Sequence, residues 1–213
     1  MIKCGRPSKG QEQLSRDRLL DAALQLFLEH GYGNLSMETI ARDARVSLRT
    51  VYNEFGGKAG LFGALISRCS DQFIGSLSDE CDLEEALNSF AQQFLYRITR
   101  PDVVRMRAIL IGESPRFPDL ATQFYEHGPR RTLTHLASFF SRQQQAGHIS
   151  AENPDFLADQ FISALRGERL QRLQLGLEPT PDEADIAVWV SQTIGLFLKG
   201  ALIKKPCLSK SDS

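Results

Sequence analysis

Residues 47–55 read Ser-Leu-Arg-Thr-Val-Tyr-Asn-Glu-Phe. Wound as a helix behind Ser47, this run turns Leu48, Arg49, Thr50 and Asn53 outward, while Val51, Tyr52 and Phe55 face inward or sideways. The outward set has the chemistry of base-edge recognition: Arg forks onto guanine, Asn pairs with adenine, and Thr or Leu meets a thymine methyl. Ser36 and Ser47 stand where helices begin, so backbone N–H groups there offer phosphate sites. Arg42, Tyr52 and Lys58 add side chains of the type that touches a phosphate backbone. Nothing of comparable specificity points to catalysis. There is no Ser/His/Asp or Cys/His arrangement, no glycine-rich phosphate loop and no HExxH run. The four cysteines, Cys4, Cys69, Cys81 and Cys207, form no CxxC pair and have no histidine at metal spacing. The expectation is a binding protein, not an enzyme, with no catalytic residues, no cofactor and no metal.

The elements that must position this run are helical. Leu20, Ala23, Leu24, Phe27 and Leu28 form one apolar stripe that stops at His30-Gly31. Met37, Ile40, Ala41 and Ala44 form a shorter one behind Ser36, and Leu48, Val51, Tyr52 and Phe55 a third, closed by Gly56-Gly57. A fourth stripe runs from Phe62 through Leu65, Ile66, Cys69 and Phe73 towards Leu77. Two short helices joined by a tight turn and braced by longer ones are the arrangement of a helix-turn-helix. Beyond residue 80 the spacing predicts helices over 83–98, 102–112, 119–127, 129–146, 155–175 and 182–202, with prolines including Pro129 at helix starts or loops. Cys69 on its stripe reads either as packing or as a redox-sensing thiol. Ile186–Ile203 has the length of a membrane span, but Ser191, Gln192, Thr193 and Lys199 interrupt it, so it is expected to be buried in a core or against a partner, in a cytoplasmic protein.

The stretch from Arg16 to Phe62 resembles the DNA-binding domain of the TetR family of transcriptional regulators. The resemblance lies in Arg18-Leu19-Leu20-Asp21-Ala22-Ala23, Leu26-Phe27, Gly31-Tyr32, Leu35-Ser36-Met37, Ile40-Ala41, Val46-Ser47, Thr50-Val51-Tyr52, Phe55, Lys58 and Leu61, in the family's order and spacing. It implies backbone contacts for Tyr52 and Lys58. Three positions depart from the pattern. Arg45 stands at a turn usually held by Gly, which costs energy if that residue needs positive φ. Arg49 replaces a small residue and adds a guanidinium to the groove side. Glu54 places an anion near phosphate.

The remaining chain resembles the family's larger C-terminal half, and its AefR-like variants around Ile111-Gly112-Glu113 and Phe117-Pro118-Asp119-Leu120. The fold implied is all-α: a basic arm (1–12), a three-helix DNA-binding domain (13–73, helix-turn-helix 36–55), a helical effector-binding and dimerisation domain (74–203), and a disordered tail (204–213). By the same resemblance Phe90, Phe94, Met106, Ile109, Phe124, Phe139, Phe140 and Phe161 line an effector pocket, with Glu113, His127, His135 and Arg166 as polar handles; plain core is the other reading of the aromatic set, and surface or capping groups the other reading of the polar four. Phe156, Phe161, Leu165, Trp189, Ile194, Phe197 and Leu198 are candidates for a four-helix interface with a second copy, or for intramolecular core. The function implied is a homodimeric, sequence-specific repressor released from double-stranded operator DNA by a small, largely apolar ligand; a helical adaptor or an activator on the same fold is the alternative, and an all-α enzyme a remote one. No membrane partner is implied.

Charge fits selective rather than coating attachment. The 213 residues hold 25 Lys and Arg against 26 Asp and Glu, a net of −1. Lys3, Arg6 and Lys9 give residues 1–11 a net of +3, whereas residues 71–98 and 151–198 each carry −5. An extended basic arm around Gly5-Arg6-Pro7 suits a narrow minor groove, or is a solvated tail. The acidic body repels DNA away from the reading end.

Overall fold

The structure, a computed structural model, describes residues 9–80, 82–149 and 152–201. These residues form ten α-helices: α1 (Lys9–His30), α2 (Met37–Asp43), α3 (Leu48–Phe55), α4 (Lys58–Ile74), α5 (Leu83–Ile98), α6 (Pro101–Glu113), α7 (Pro118–Tyr125), α8 (Arg131–Gln145), α9 (Pro154–Gln174) and α10 (Glu183–Ala201). Pro101, Pro118 and Pro154 open their helices, where a missing N–H costs nothing. Pro129 does not. It lies inside a π-helical segment, Glu126–Arg130, that carries α7 into α8, and the wider i→i+5 winding accommodates a residue without a donor. Residues 9–12 of the expected basic arm are already helical, in the first turns of α1, while its remainder with Arg6 and the tail 204–213 lie outside the described residues.

Chain order does not set the compact units. Residues up to Asp71 join Arg100–Arg131 in one unit, and Gln72–Thr99 joins Thr132 onward in the other. The sequence reading placed α6 and α7 in the C-terminal domain; they pack instead in the first unit. The reason is apolar: Met106, Leu110 and Leu120 are buried in one core with Leu19, Leu20, Phe27, Ile40, Val51 and Phe62. Burying side chains of this size is worth roughly 1.5–3 kcal/mol each, far more than the propensity of a seven-residue helix.

The second unit is built on a cluster of packed aromatic rings. Phe73, Phe90 and Phe94 pack pairwise at 5.2–5.8 Å between centroids. Phe161 links Phe90 to Phe140 and Phe197, and Phe139 adjoins Phe140. Of the residues expected at an interface, Leu165, Ile194 and Leu198 sit in this unit's own interior, at 0%, 1% and 7% exposure. Trp189 is buried beneath the Arg169 guanidinium, 5.2 Å from its ring, and Phe197 is half-buried. Phe156 alone of that set points outward, with 56% exposure. Sequence periodicity finds the apolar side of a helix but not which molecule covers it, and here the chain covers it itself. Gly167, at φ 47° and ψ −172°, breaks α9 with a kink in a region open only to glycine.

The turn between α2 and α3 carries a cost. The Arg45 N–H donates to Arg42 O (3.2 Å) and the Val46 N–H to Ala41 O (3.0 Å), the paired bonds of a Schellman stop. The same two bonds end α8 at Gly147 and α9 at Gly176, both glycines at positive φ. At Arg45 a side chain occupies that left-handed position, with φ 56°. Arg45→Gly is therefore expected to raise the unfolding free energy by about 0.5–1 kcal/mol. A denaturant midpoint that stays or falls, at unchanged slope, would contradict the strain.

Candidate nucleic-acid interface

The outward edge of α2 and α3 is assembled by its buried edge. Ser36 Oγ accepts the Thr39 N–H (3.2 Å) and Ser47 Oγ accepts the Thr50 N–H (3.0 Å), starting the two helices. Gly56 in the left-handed region ends α3. Between these stops Val51 is 0% exposed and fixes the rotation of α3 about its axis. Arg49, Thr50, Tyr52 and Asn53 are thereby exposed on one side, with Arg42 exposed on α2. The Thr50 hydroxyl is 2.7 Å from Ser47 Oγ, so it belongs to the cap. Two side chains differ from the sequence expectation. Leu48 is half-buried and packs on the core, while Tyr52, expected inward or sideways, is 46% exposed. The eight-residue helix presents about two faces, and Val51 takes the buried one.

Lys58, expected at the phosphate backbone, also makes contacts within the domain. Its ammonium donates to Tyr32 O (2.7 Å) and Leu35 O (2.9 Å) and lies 4.4 Å from the Tyr32 ring centroid. Burial pulls its pKa below the usual lysine value, and the Glu113 carboxylate acts against that pull. Lys58 is a strut under the turn that leads into α2. Glu113, expected as a pocket handle, takes the other side of that turn: its two oxygens accept the N–H groups of Tyr32 (3.1 Å) and Gly33 (2.6 Å). The Tyr32 phenol is held above its ordinary pKa, first by burial and then by the charges of Asp119 and Glu113.

Glu54 faces Arg16 of α1 at 2.7 Å, and the Arg16 guanidinium lies 4.9 Å from the Phe55 ring. The anion that would repel phosphate is thus paired within the domain. The remaining pocket candidates do not gather. Met106 and Ile109 line a crevice with Phe27, Tyr32 and Phe62 that leaves no space for a water, and Phe124 packs on the same core. Phe90, Phe94, Phe139, Phe140 and Phe161 are in the second unit's ring cluster, with Phe90, Phe139, Phe140 and Phe161 at 0% exposure. His135 is exposed and Arg166 half-buried, both in that second unit. The His127 ring bonds Ser67 through Nδ1 (2.9 Å). Sequence reasoning missed Arg16, whose partner lies 38 residues away. Among the described residues no cluster of His, Cys, Asp or Glu could hold a metal, and no helix is long and apolar enough to cross a membrane.

A short capped helix presenting Arg, Tyr and Asn from a turn-linked pair has the form of a helix-turn-helix, and known proteins place the chain in a family of such regulators. Residues 19–65 match the model of the bacterial regulatory proteins of the tetR family, and residues 85–200 match the C-terminal domain of AefR-like transcriptional repressors. The chain belongs to the TetR family, as a DNA-binding transcriptional regulator with an AefR-like C-terminal domain. It is 30% identical over 188 residues to the uncharacterized HTH-type transcriptional regulator YvkB of Bacillus subtilis, spanning 86% of this chain and 95% of that one. It is 33% identical to the HTH-type transcriptional repressor ComR of Escherichia coli, over 69% of this chain and 74% of that one. The solved structure of the flavonoid-responsive regulator FrrA is similar with 35% identity and a TM-score of 0.72, covering 91% of this chain and all of that one. Such relatives are regulators, not enzymes.

The Glu54–Arg16 pair carries a consequence for non-specific binding. Glu54→Gln removes an anion beside the reading helix and releases a cation, so affinity for random duplex should rise about two- to five-fold at low salt and converge with wild type as salt screens it. Fluorescence anisotropy at two ionic strengths measures this; an unchanged or weaker random-DNA affinity would count against it.

Proposed function

We propose that the protein is a homodimeric repressor, acting in the cytoplasm, that leaves its operator when a small, largely apolar ligand binds. The observation that carries this reading is the fixed outward edge of α3, where Arg49, Tyr52 and Asn53 are exposed while Val51 is wholly buried behind them. Arg49 and Asn53 are the base readers and Tyr52 and Arg42 the backbone contacts, a division that follows from side-chain chemistry. Two copies related by a two-fold axis would place their reading helices on half-sites roughly 34 Å apart.

The second copy is best accommodated by the outward faces of α9 and α10. Phe156, Val188 and Leu196 are exposed there, Leu196 at 75%, among the small residues Ala184, Ser191 and Gly195. Apolar side chains beside small ones allow close helix approach and favour burial against a partner. The ligand is assigned as small and aromatic or otherwise apolar by similarity to a regulator described as flavonoid-responsive. It acts by binding better to a form of the dimer whose reading helices do not match the operator.

Two measurements test this reading. In gel shifts with the DNA upstream of its own gene, Arg49→Ala should lose about 1–3 kcal/mol on the cognate site and little on random duplex; equal losses on both would remove Arg49 from base reading. By light scattering the wild type should have twice the chain mass and Leu196→Glu the single mass, since an unpaired carboxylate would be buried at the contact. A variant that remains dimeric would exclude this face.

A further inference from the structure

The five-residue turn between α1 and α2 is held from both sides by ions brought from elsewhere in the chain. Lys58, the first residue of α4, binds two of its carbonyl oxygens, Tyr32 O and Leu35 O. Glu113, the last residue of α6, binds two of its N–H groups, those of Tyr32 and Gly33. The fit is close. Gly31 has φ 76°, and a Cβ there would collide with Glu113 Oε1, while a Cβ at Gly33 would lie 2.9 Å from the Phe117 ring. The Tyr32 ring is packed against Phe27, Phe62 and Phe117, so the turn pivots on a fixed side chain. One residue past the turn stands Ser36, the cap of α2, and α2 leads through Arg45 directly into α3.

We propose that Glu113 is a positioning residue for DNA reading: its paired hydrogen bonds to Tyr32 and Gly33 set the angle at which α2 and α3 leave α1. This inference rests on the DNA-reading function above. α6 starts at Pro101, next in the chain to Thr99-Arg100 where the second unit hands over to the first. Thirteen residues of helix span about 20 Å, and Met106 and Leu110 anchor α6 in the same core as the turn's Tyr32. Glu113 touches none of the side chains assigned to DNA, yet it governs two donors 80 and 81 residues away in sequence. A carboxylate with two acceptor oxygens meets both donors. A glutamine meets only one and turns its amide N–H₂ towards the other, and an alanine meets neither.

The test uses the full-length dimer with Glu113→Gln, Glu113→Ala and, as a control on the exposed side of α6, Arg105→Ala. Hydrogen exchange at Tyr32 and Gly33 should accelerate in the order wild type, Gln, Ala. Operator affinity should fall about ten-fold in the alanine variant and less in the glutamine one. Random-DNA affinity, the salt slope and the active fraction from stoichiometric titration should stay at wild-type values, because the phosphate contacts survive while their alignment with the bases does not. Arg105→Ala should behave as wild type. A purely structural role would instead lower the active fraction and weaken both DNAs together, and that outcome overturns the proposal, as does an unchanged operator-to-random ratio. If the wild type itself shows no preference for the operator, the DNA-reading function fails and the proposal with it; a preference that survives in both variants sinks the proposal alone.

Discussion

Helices of seven and eight residues do not persist alone in water, because the nucleation cost outweighs the few backbone bonds that follow, and α2 and α3 are of this length. The helix-turn-helix pair therefore depends on a core that its own two helices do not supply. Met37, Ile40 and Ala41 from α2 and Val51 from α3 enter an interior furnished by α1, α4, α6 and α7. The caps at Ser36 and Ser47 decide where the helices start, and Val51 decides how α3 is rotated. Exposure of Arg49 and Asn53 is the result of that burial, since the side that faces inward fixes the side that faces out.

Electrostatics in the same domain separates cations that hold the fold from cations left for DNA. Lys58 donates to two carbonyl oxygens and lies over the face of Tyr32, so its charge braces the turn. Arg16 is committed to Glu54, and Arg68 to Asp21 at 2.7 Å. Arg42 and Arg49 stay exposed on the reading side. With 25 cations against 26 anions in the chain, a small unpaired set at one edge suffices to attract DNA, and the acidic remainder limits attachment elsewhere.

Local signals were the legible ones. Serine caps, glycine stops and three- and four-residue apolar spacing place α2, α3 and α5 in the sequence nearly residue for residue, because each is determined within a turn of the chain. The positive φ at Arg45 was open to expectation only through the family pattern, which usually has Gly at that turn. What escaped were the choices made by distant partners. Glu113 reads as a polar handle until Tyr32 and Gly33 are known to lie against it. Leu165 and Ile194 read equally as interface and as core, since an apolar stripe names no neighbour. The abundance of phenylalanine suggests a cavity, whereas rings packed at 5–6 Å centroid distances fill their own space.

The interleaving of the two units changes what the DNA-binding domain is. The chain passes from one unit to the other after Asp71, returns after Thr99, and leaves again after Arg131. A domain cut at the end of α4 would lack Met106, Leu110 and Leu120, leaving Phe27, Tyr32 and Phe62 facing water where they now meet those side chains. It would also lack Glu113, leaving two N–H groups of the α1–α2 turn without their acceptors. The family motif ends near residue 65, yet the physical unit that keeps α3 in reading position extends to Arg131. Residues 100–131 thus share the core that holds α2 and α3, although they lie beyond the family motif in sequence.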